Sequence, residues 1–146
     1  DCCDRIAYLS HDLDDGLRAG LFREEEAAEL ALWREASSAA AGRGRLRIVS
    51  EIASLLIHDL VVTVDAALSS APPQGPTPRV QHSDAMIVWS HELLEFLRAR
   101  FYRAPEVLRV MHDGAARIRR MFEKLVADPS RLPENARARV ERDGLE

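Results

Sequence analysis

Side chains that can bind a metal ion or a phosphate recur on one face of the first predicted helix. Asp4, Tyr8 and Asp12 are spaced by four residues, and such positions drift by only about 40° per step around an α-helix. Arg5 and His11 flank this row. Carboxylates and imidazole are ligands for Mg²⁺, Mn²⁺ or Fe²⁺, whereas arginine and tyrosine suit phosphate oxygens. The alternative is a solvated helix face with an ordinary charge pattern.

Apolar residues at helical spacing predict an all-α bundle of about five or six helices. We expect helices over about residues 4–17, 23–41, 46–68, 84–103 and 105–128, with a terminal helix from about 133. The third is apolar around most of its circumference, which predicts the buried centre of a bundle. Four prolines and a glycine predict a loop over residues 69–83. Residues 1–146 are expected to form a single helical domain or a fragment of a larger protein.

The overall composition argues against several classes of protein. Hydrophobic residues make up 47% and charged residues 30% of the chain, as in globular proteins. A net charge of −4 argues against a binder of duplex nucleic acid. His58 and Asp59 interrupt the longest apolar run short of the roughly 18 residues that a membrane span needs, so no membrane partner is expected. Cys2 and Cys3 are neighbours and make a poor disulfide, which favours a cytoplasmic protein.

Residues 3–20, CDRIAYLSHDLDDGLRAG, closely resemble a segment of the deoxyguanosine triphosphate triphosphohydrolase-like family. The pattern of that family is roughly A-D-x-I-A-Y-x-x-H-D-x-D-D-(A/G)-x-x-x-G, and its members are HD-domain enzymes that act on deoxynucleoside triphosphates (dNTPs). Looser resemblance continues through residues 47–59, 97–103 and 119–133, so that nearly the whole chain is covered. The chain looks like the middle-to-C-terminal helical part of such an enzyme.

The resemblance implies a role for each polar residue of the row. Asp4 matches the last aspartate of an H…HD…D set that binds a divalent metal (Mg, Mn or Fe). Arg5 and Tyr8 match positions beside the substrate phosphates. Asp12 matches the carboxylate that accepts a hydrogen bond from the sugar 3′-hydroxyl, with Tyr8 placed where a ribose 2′-hydroxyl would collide. His11 is either a catalytic proton-transfer group or a residue that merely lines the pocket.

The family's reaction is the hydrolysis of a dNTP to a deoxynucleoside and inorganic triphosphate by a metal-activated water. This sequence departs from the family pattern, because it contains no G-L-L-H-D-I-G-H-like string with the other metal ligands. Nor does it contain the D-Y-I-A-G-M-T-D-like string that usually follows. We therefore expect an enzyme as the full-length parent and an inactive 146-residue piece.

The His58-Asp59 dipeptide imitates a catalytic HD pair but lacks the Gly-His that should follow it. We expect instead a core histidine beside an aspartate that is satisfied locally.

Arg43, Arg45 and Arg47 cluster at the start of the third predicted helix, where positive charge opposes the helix dipole. This arrangement predicts a bound polyphosphate, either the substrate or an allosteric dNTP. The alternative is pairing with the acidic run 24–26, or simple solvation.

A basic stripe on the fourth and fifth predicted helices is a candidate contact for a neighbouring subunit of a homo-oligomer or for single-stranded nucleic acid. The alternative is a solvated face. Its members are Arg98, Arg100, Arg103, Arg117, Arg119 and Arg120.

Two other functions stay open at this point. The first is another HD-type phosphohydrolase, acting for example on a nucleoside monophosphate or guanosine tetraphosphate. Tyr8 and Asp12 argue against it, because a simpler motif would suffice there. The second is a non-catalytic helical interaction module that has kept the first helix and lost the catalytic half.

Overall fold

The computed structural model describes residues 2–72 and 74–144, and the regular structure of these residues is entirely helical. The all-α prediction is confirmed. The helices are α1 (Cys2–Arg18), α2 (Glu24–Ala27), α3 (Ala31–Ala40), α4 (Arg45–Ser70), α5 (Asp84–Leu97), α6 (Pro105–Ala127) and α7 (Glu134–Asp143). Wider π-helical turns over Arg98–Tyr102 continue from α5, and a 3₁₀ turn over Pro129–Arg131 precedes α7.

The described chain divides into two units between Ala104 and Pro105. The first unit holds α1 to α5 and the π-helical turns. The second holds α6, the 3₁₀ turn and α7. Pro105 occupies the first turn of α6, as expected, where its missing N–H group would have no helical partner in any case.

The core of the first unit forms where α1, α3, α4 and α5 meet. Because α1 directs one apolar row inward, its opposite, polar row is left at the surface. Each fully buried leucine or isoleucine contributes about 1.5–3 kcal/mol relative to an exposed one. The core side chains on these helices include Ile6, Leu9, Leu13, Leu17, Leu32, Trp33, Ala36, Ile52, Leu56, Leu93 and Leu97.

Gly16 allows two aromatic rings to lie directly against α1. A Cβ atom at this position would overlap the ring of Phe22 and lie 3.2 Å from Cδ2 of Phe101. Phe22 also packs edge-to-face on Phe96, with ring centroids 4.8 Å apart. A glycine inside a helix costs about 1 kcal/mol relative to alanine. Here that cost permits the close contact that joins the π-helical turns to α1.

The helix expected over residues 23–41 is broken in the structure. The helix α2 ends at Ala27, and α3 begins at Ala31. The backbone N–H of Ala31 donates to Oε2 of Glu92 on α5, at 2.9 Å. The N-cap residue Leu30 offers no side-chain acceptor of its own. The N–H group at the start of α3 is therefore satisfied by a side chain 61 positions away.

The expectation that α4 is buried along its length is wrong. Only Ile52 and Leu56 of this helix are buried, whereas Ile57, Val61 and Val62 are at least half exposed. Among the described residues, α4 is the one helix long and apolar enough to cross a membrane, although only 11% of its most apolar window is buried in this structure. The polar pair at 58–59 does not prevent this, because an 18-residue stretch of α4 stays apolar on average. The core helix of a soluble protein can have the same length and composition.

Asp59 joins α4 to the start of α5. Its Oδ2 atom lies 2.8 Å from Nδ1 of His82 and accepts a 3.1 Å hydrogen bond from the backbone N–H of Ser83. Its Oδ1 atom accepts a hydrogen bond from the Ser83 hydroxyl, whose oxygen also caps α5 at the N–H of Met86. Burial raises the pKa of Asp59, but these hydrogen bonds outweigh it and hold the pKa below its ordinary value. The sequence interpretation is corrected here, because His58 is exposed and the partners of Asp59 are distant in sequence.

Candidate active site

A cleft of about 420 Å³ lies beside α1, and four of the sequence-predicted site residues line it. These are Asp4, Arg5, Tyr8 and Asp12. Leu9 of α1, Leu94 of α5 and Tyr102 of the π-helical turns complete the lining. The spacing argument is thereby supported by the structure, since all four side chains share one face and one cavity.

The four α1 residues are accessible to a ligand because the opposite face of the helix is buried. Asp4 and Arg5 are exposed, Tyr8 is 58% exposed and Asp12 is half-buried. The carboxylates of Asp4 and Asp12 lie two turns apart on this row, separated by about 12 Å along the helix axis. Arg5 carries the positive charge of the lining.

Tyr102 was not predicted from the sequence, and it makes the most specific contact in the cleft. Its hydroxyl donates a short hydrogen bond to Oδ2 of Asp12, 90 residues away. Burial, together with the hydrogen bond to Asp12 and its negative charge, raises the pKa of Tyr102. Tyr102 therefore keeps its proton at neutral pH and acts as a hydrogen-bond donor that fixes one oxygen of Asp12. The other oxygen stays available to a ligand.

The π-helical turns at Arg98–Tyr102 place two neighbouring aromatic residues against α1. Phe101 contacts α1 at Gly16, and Tyr102 contacts it at Asp12. Single π turns inside helices are rare and frequently occur at functional sites. The available sequence signal was the weak family resemblance over residues 97–103, which carries no indication of the partner of Tyr102.

The described residues do not form a metal site by themselves. Over residues 2–72 and 74–144, no group of three or more His, Cys, Asp or Glu side chains is placed to hold a metal ion. Asp4 supplies one carboxylate, whereas Mg²⁺ requires near-octahedral oxygen coordination. The expected metal would need ligands from elsewhere.

His11 lies on α1 but is exposed and is not part of the cleft lining. The geometry therefore gives no support to a proton-transfer role for this histidine.

The three arginines at the start of α4 are not gathered around an anion site. Arg45 Nε lies 4.0 Å from Oδ1 of Asp14, and Arg47 forms an ion pair with Glu51. Arg43 is exposed. The structure thus favours the alternative of internal pairing, but the acidic partners of Arg45 and Arg47 are not the expected residues 24–26.

Comparison with known proteins gives two kinds of match. Residues 80–146 match the family model described as a phosphohydrolase-associated domain.

The whole chain is similar to curated proteins named deoxyguanosinetriphosphate triphosphohydrolase-like. The protein 1 of that name from Deinococcus radiodurans is 35% identical over 159 residues, covering 99% of this chain and 43% of the relative. The relative from Ralstonia nicotianae is 35% identical, over 93% of this chain and 39% of its own length. A third, from Deinococcus deserti, is 32% identical over 99% of this chain and 42% of its own.

The resemblance to the deoxyguanosinetriphosphate triphosphohydrolase-like family is confirmed. The match to the phosphohydrolase-associated domain corresponds to the later part of the chain, and it begins just before α5. The chain spans about two fifths of the length of these relatives. It is therefore similar to one part of these triphosphohydrolase-like proteins.

Proposed function

We propose that this chain is part of a metal-dependent dNTP triphosphohydrolase, which converts a dNTP and water to a deoxynucleoside and triphosphate. The observation that carries the proposal is the cleft beside α1, which gathers Asp4, Arg5, Tyr8 and Asp12 with Tyr102. The names of the similar proteins support the same reaction class.

In this proposal Arg5 and Tyr8 bind the phosphate groups. A guanidinium forms strong, charge-assisted hydrogen bonds with phosphate oxygens, and the exposed Tyr8 hydroxyl adds a neutral donor. Asp12 accepts a hydrogen bond from the sugar 3′-hydroxyl through the oxygen that Tyr102 does not occupy. Such a bond to a charged acceptor contributes about 1.5–3 kcal/mol.

The metal in this proposal would use Asp4 as one ligand and further ligands from outside the described residues. When bound, a divalent cation would polarise phosphate oxygens and lower the pKa of a water molecule. We expect the 146 residues alone to be inactive, because Asp4 by itself cannot complete such a site.

The proposal is tested by identifying the reaction products of the full-length protein. With dGTP and Mg²⁺ or Mn²⁺, phosphorus NMR should show inorganic triphosphate as the product. Asp4→Asn should abolish turnover, whereas Asp59→Asn, which alters the α4–α5 contact, should retain it after correction for the folded fraction. Orthophosphate or pyrophosphate in place of triphosphate would favour another HD-type phosphohydrolase. No turnover of any nucleotide would favour a helical interaction module.

A further inference from the structure

We propose that the second unit carries a binding site for a compact polyphosphate at the C-terminal end of α6. A pocket of about 420 Å³ is lined there by Arg117, Arg120 and Lys124 of α6 and by Arg131 of the 3₁₀ turn, with Met121 and Leu125 as its apolar part. Small-molecule sites generally measure roughly 300–1,000 Å³. The pocket lies wholly within the second unit, and the proposal does not depend on the function proposed for the α1 cleft.

The helical spacing concentrates positive charge on one side of α6. Arg117, Arg120 and Lys124 occupy positions i, i+3 and i+7, which share a helix face. Neighbouring like charges on a helix are destabilising by a few tenths of a kcal/mol, so opposite charges usually accompany them. Here none of the three forms an ion pair with any residue in the described ranges 2–72 and 74–144. The three cations are thus free to bind an external anion.

The fourth cation is positioned by a neighbouring carboxylate. Nε of Arg131 donates to Oδ2 of Asp128 at 2.9 Å, and the Ser130 hydroxyl donates to Oδ1 at 2.5 Å. The hydrogen bonds from Ser130 and Arg131 hold the pKa of Asp128 below its ordinary value. This contact uses one of the five N–H groups of Arg131 and leaves the others for a ligand.

The distribution of these charges indicates the chemical class of the ligand. Four cations in one small pocket match several negative charges held close together, as in a diphosphate or triphosphate. A nucleic-acid strand instead spaces its phosphates along an extended backbone, which requires a track of cations. Met121 and Leu125 add an apolar surface to the lining, so that inorganic triphosphate and a nucleoside triphosphate share the required chemistry.

Isothermal titration calorimetry with inorganic triphosphate tests the proposal. An Arg5→Gln background removes the one cation of the α1 cleft, so that binding there does not dominate the signal. In this background, Arg120→Gln combined with Lys124→Gln should weaken binding by roughly a hundredfold, about tenfold per charged contact. The matched control combines Arg109→Gln with Arg119→Gln, which removes the same charge from α6 outside the pocket. The control should change the dissociation constant by about twofold or less.

Three results would overturn the proposal. Equal weakening by both double variants would mean general charge attraction. The absence of any binding in the Arg5→Gln background would mean that the cations only stabilise the end of α6. If inorganic triphosphate bound the Arg120→Gln, Lys124→Gln variant with wild-type affinity, the anion would bind elsewhere. Circular dichroism of each variant checks that helix content is unchanged.

A second titration with a nucleoside triphosphate distinguishes the two ligand sources. Tighter binding than that of inorganic triphosphate, lost on Met121→Ser, would assign the apolar part of the pocket to a base or sugar. Equal affinities would assign the pocket to the phosphate groups alone. Both results support a polyphosphate site, provided that Arg120→Gln combined with Lys124→Gln weakens the binding of both ligands.

Discussion

At the scale of single residues, the candidate active site depends on a pair that is far apart in sequence. The family-like string predicted Asp4, Arg5, Tyr8 and Asp12, because local helical spacing alone places them on one face. It gave no indication of Tyr102, whose partner Asp12 lies 90 residues away. A sequence pattern read along one helix finds residues of that helix, whereas a contact from another element follows only from the packing.

The contact between Tyr102 and Asp12 predicts a change in substrate selectivity. In the full-length protein, Tyr102→Phe should lower the ratio of kcat/KM for dGTP to that for 2′,3′-dideoxy-GTP by about tenfold, because Asp12 loses the hydrogen bond that orients it toward the sugar 3′-hydroxyl. Asp12→Asn should lower the same ratio by at least as much.

The double variant provides the control for this prediction. If Tyr102 acts through Asp12, the two substitutions together should change the ratio by little more than Asp12→Asn alone. Fully additive effects would show that Tyr102 does not act by positioning Asp12.

Two glycines inside helices should respond to alanine in opposite directions. Gly16→Ala should destabilise the protein by about 1–3 kcal/mol, because the new methyl group overlaps the Phe22 ring. At Gly114 of α6 a Cβ would meet nothing within 4 Å, so Gly114→Ala should stabilise by about 0.5–1 kcal/mol. Urea unfolding monitored by circular dichroism measures both, and a stabilising Gly16→Ala would refute the close-packing explanation.

At the scale of elements, the apolar pattern predicted that helices form and approximately where they lie, but not how each is used. The polar face of α1 was correctly inferred, because its buried and exposed residues alternate with helical periodicity. The burial of α4 was not, since an apolar circumference does not reveal which neighbours cover it. Similarly, the acceptor for the first N–H group of α3 comes from Glu92 on α5, and no residue near the break between α2 and α3 signals it.

The long-range cap by Glu92 predicts a measurable stability effect. Glu92→Ala should lower the free energy of unfolding by about 1 kcal/mol, because the N–H of Ala31 loses its acceptor at the start of α3. Glu95→Ala on the same helix is the control. Its carboxylate pairs with exposed Arg98, so the expected loss is about 0.5 kcal/mol or less. Equal effects in chemical denaturation would argue against a capping role.

The hydrogen bonds of Asp59 predict an acid-dependent contribution to stability. Because the folded-state pKa lies below the ordinary value of 3.8, the ionised form stabilises the fold above that pH. The contribution is lost as the pH falls through the lower, folded-state pKa.

The Asp59→Asn variant should therefore be less stable than the wild type by about 1–3 kcal/mol at neutral pH, with a difference that shrinks below about pH 4. Asp65→Asn, at an exposed site on the same helix, is the control and should change little at any pH. Thermal unfolding across this pH range provides the measurement. A difference that grew on acidification would have the wrong sign.

At the scale of the whole molecule, charge is distributed unevenly between the two parts of the chain. Residues 1–104 carry eleven basic and sixteen acidic side chains, whereas residues 105–146 carry nine and eight. The α1 cleft thus lies in an acidic part of the chain, where Arg5 supplies the positive charge of the lining. The second part holds a pocket lined by four cations, Arg117, Arg120, Lys124 and Arg131. Net charge alone, at −4, conceals this division.

Above all, we propose that the polar face of α1 binds a nucleotide. The most direct measurement is a crystal structure of the full-length protein with a non-hydrolysable dNTP analogue. We expect the phosphates to contact Arg5 and a sugar hydroxyl to lie within hydrogen-bond distance of Asp12. A nucleotide bound in the active centre with Arg5, Tyr8 and Asp12 all exposed to solvent and out of contact would contradict it.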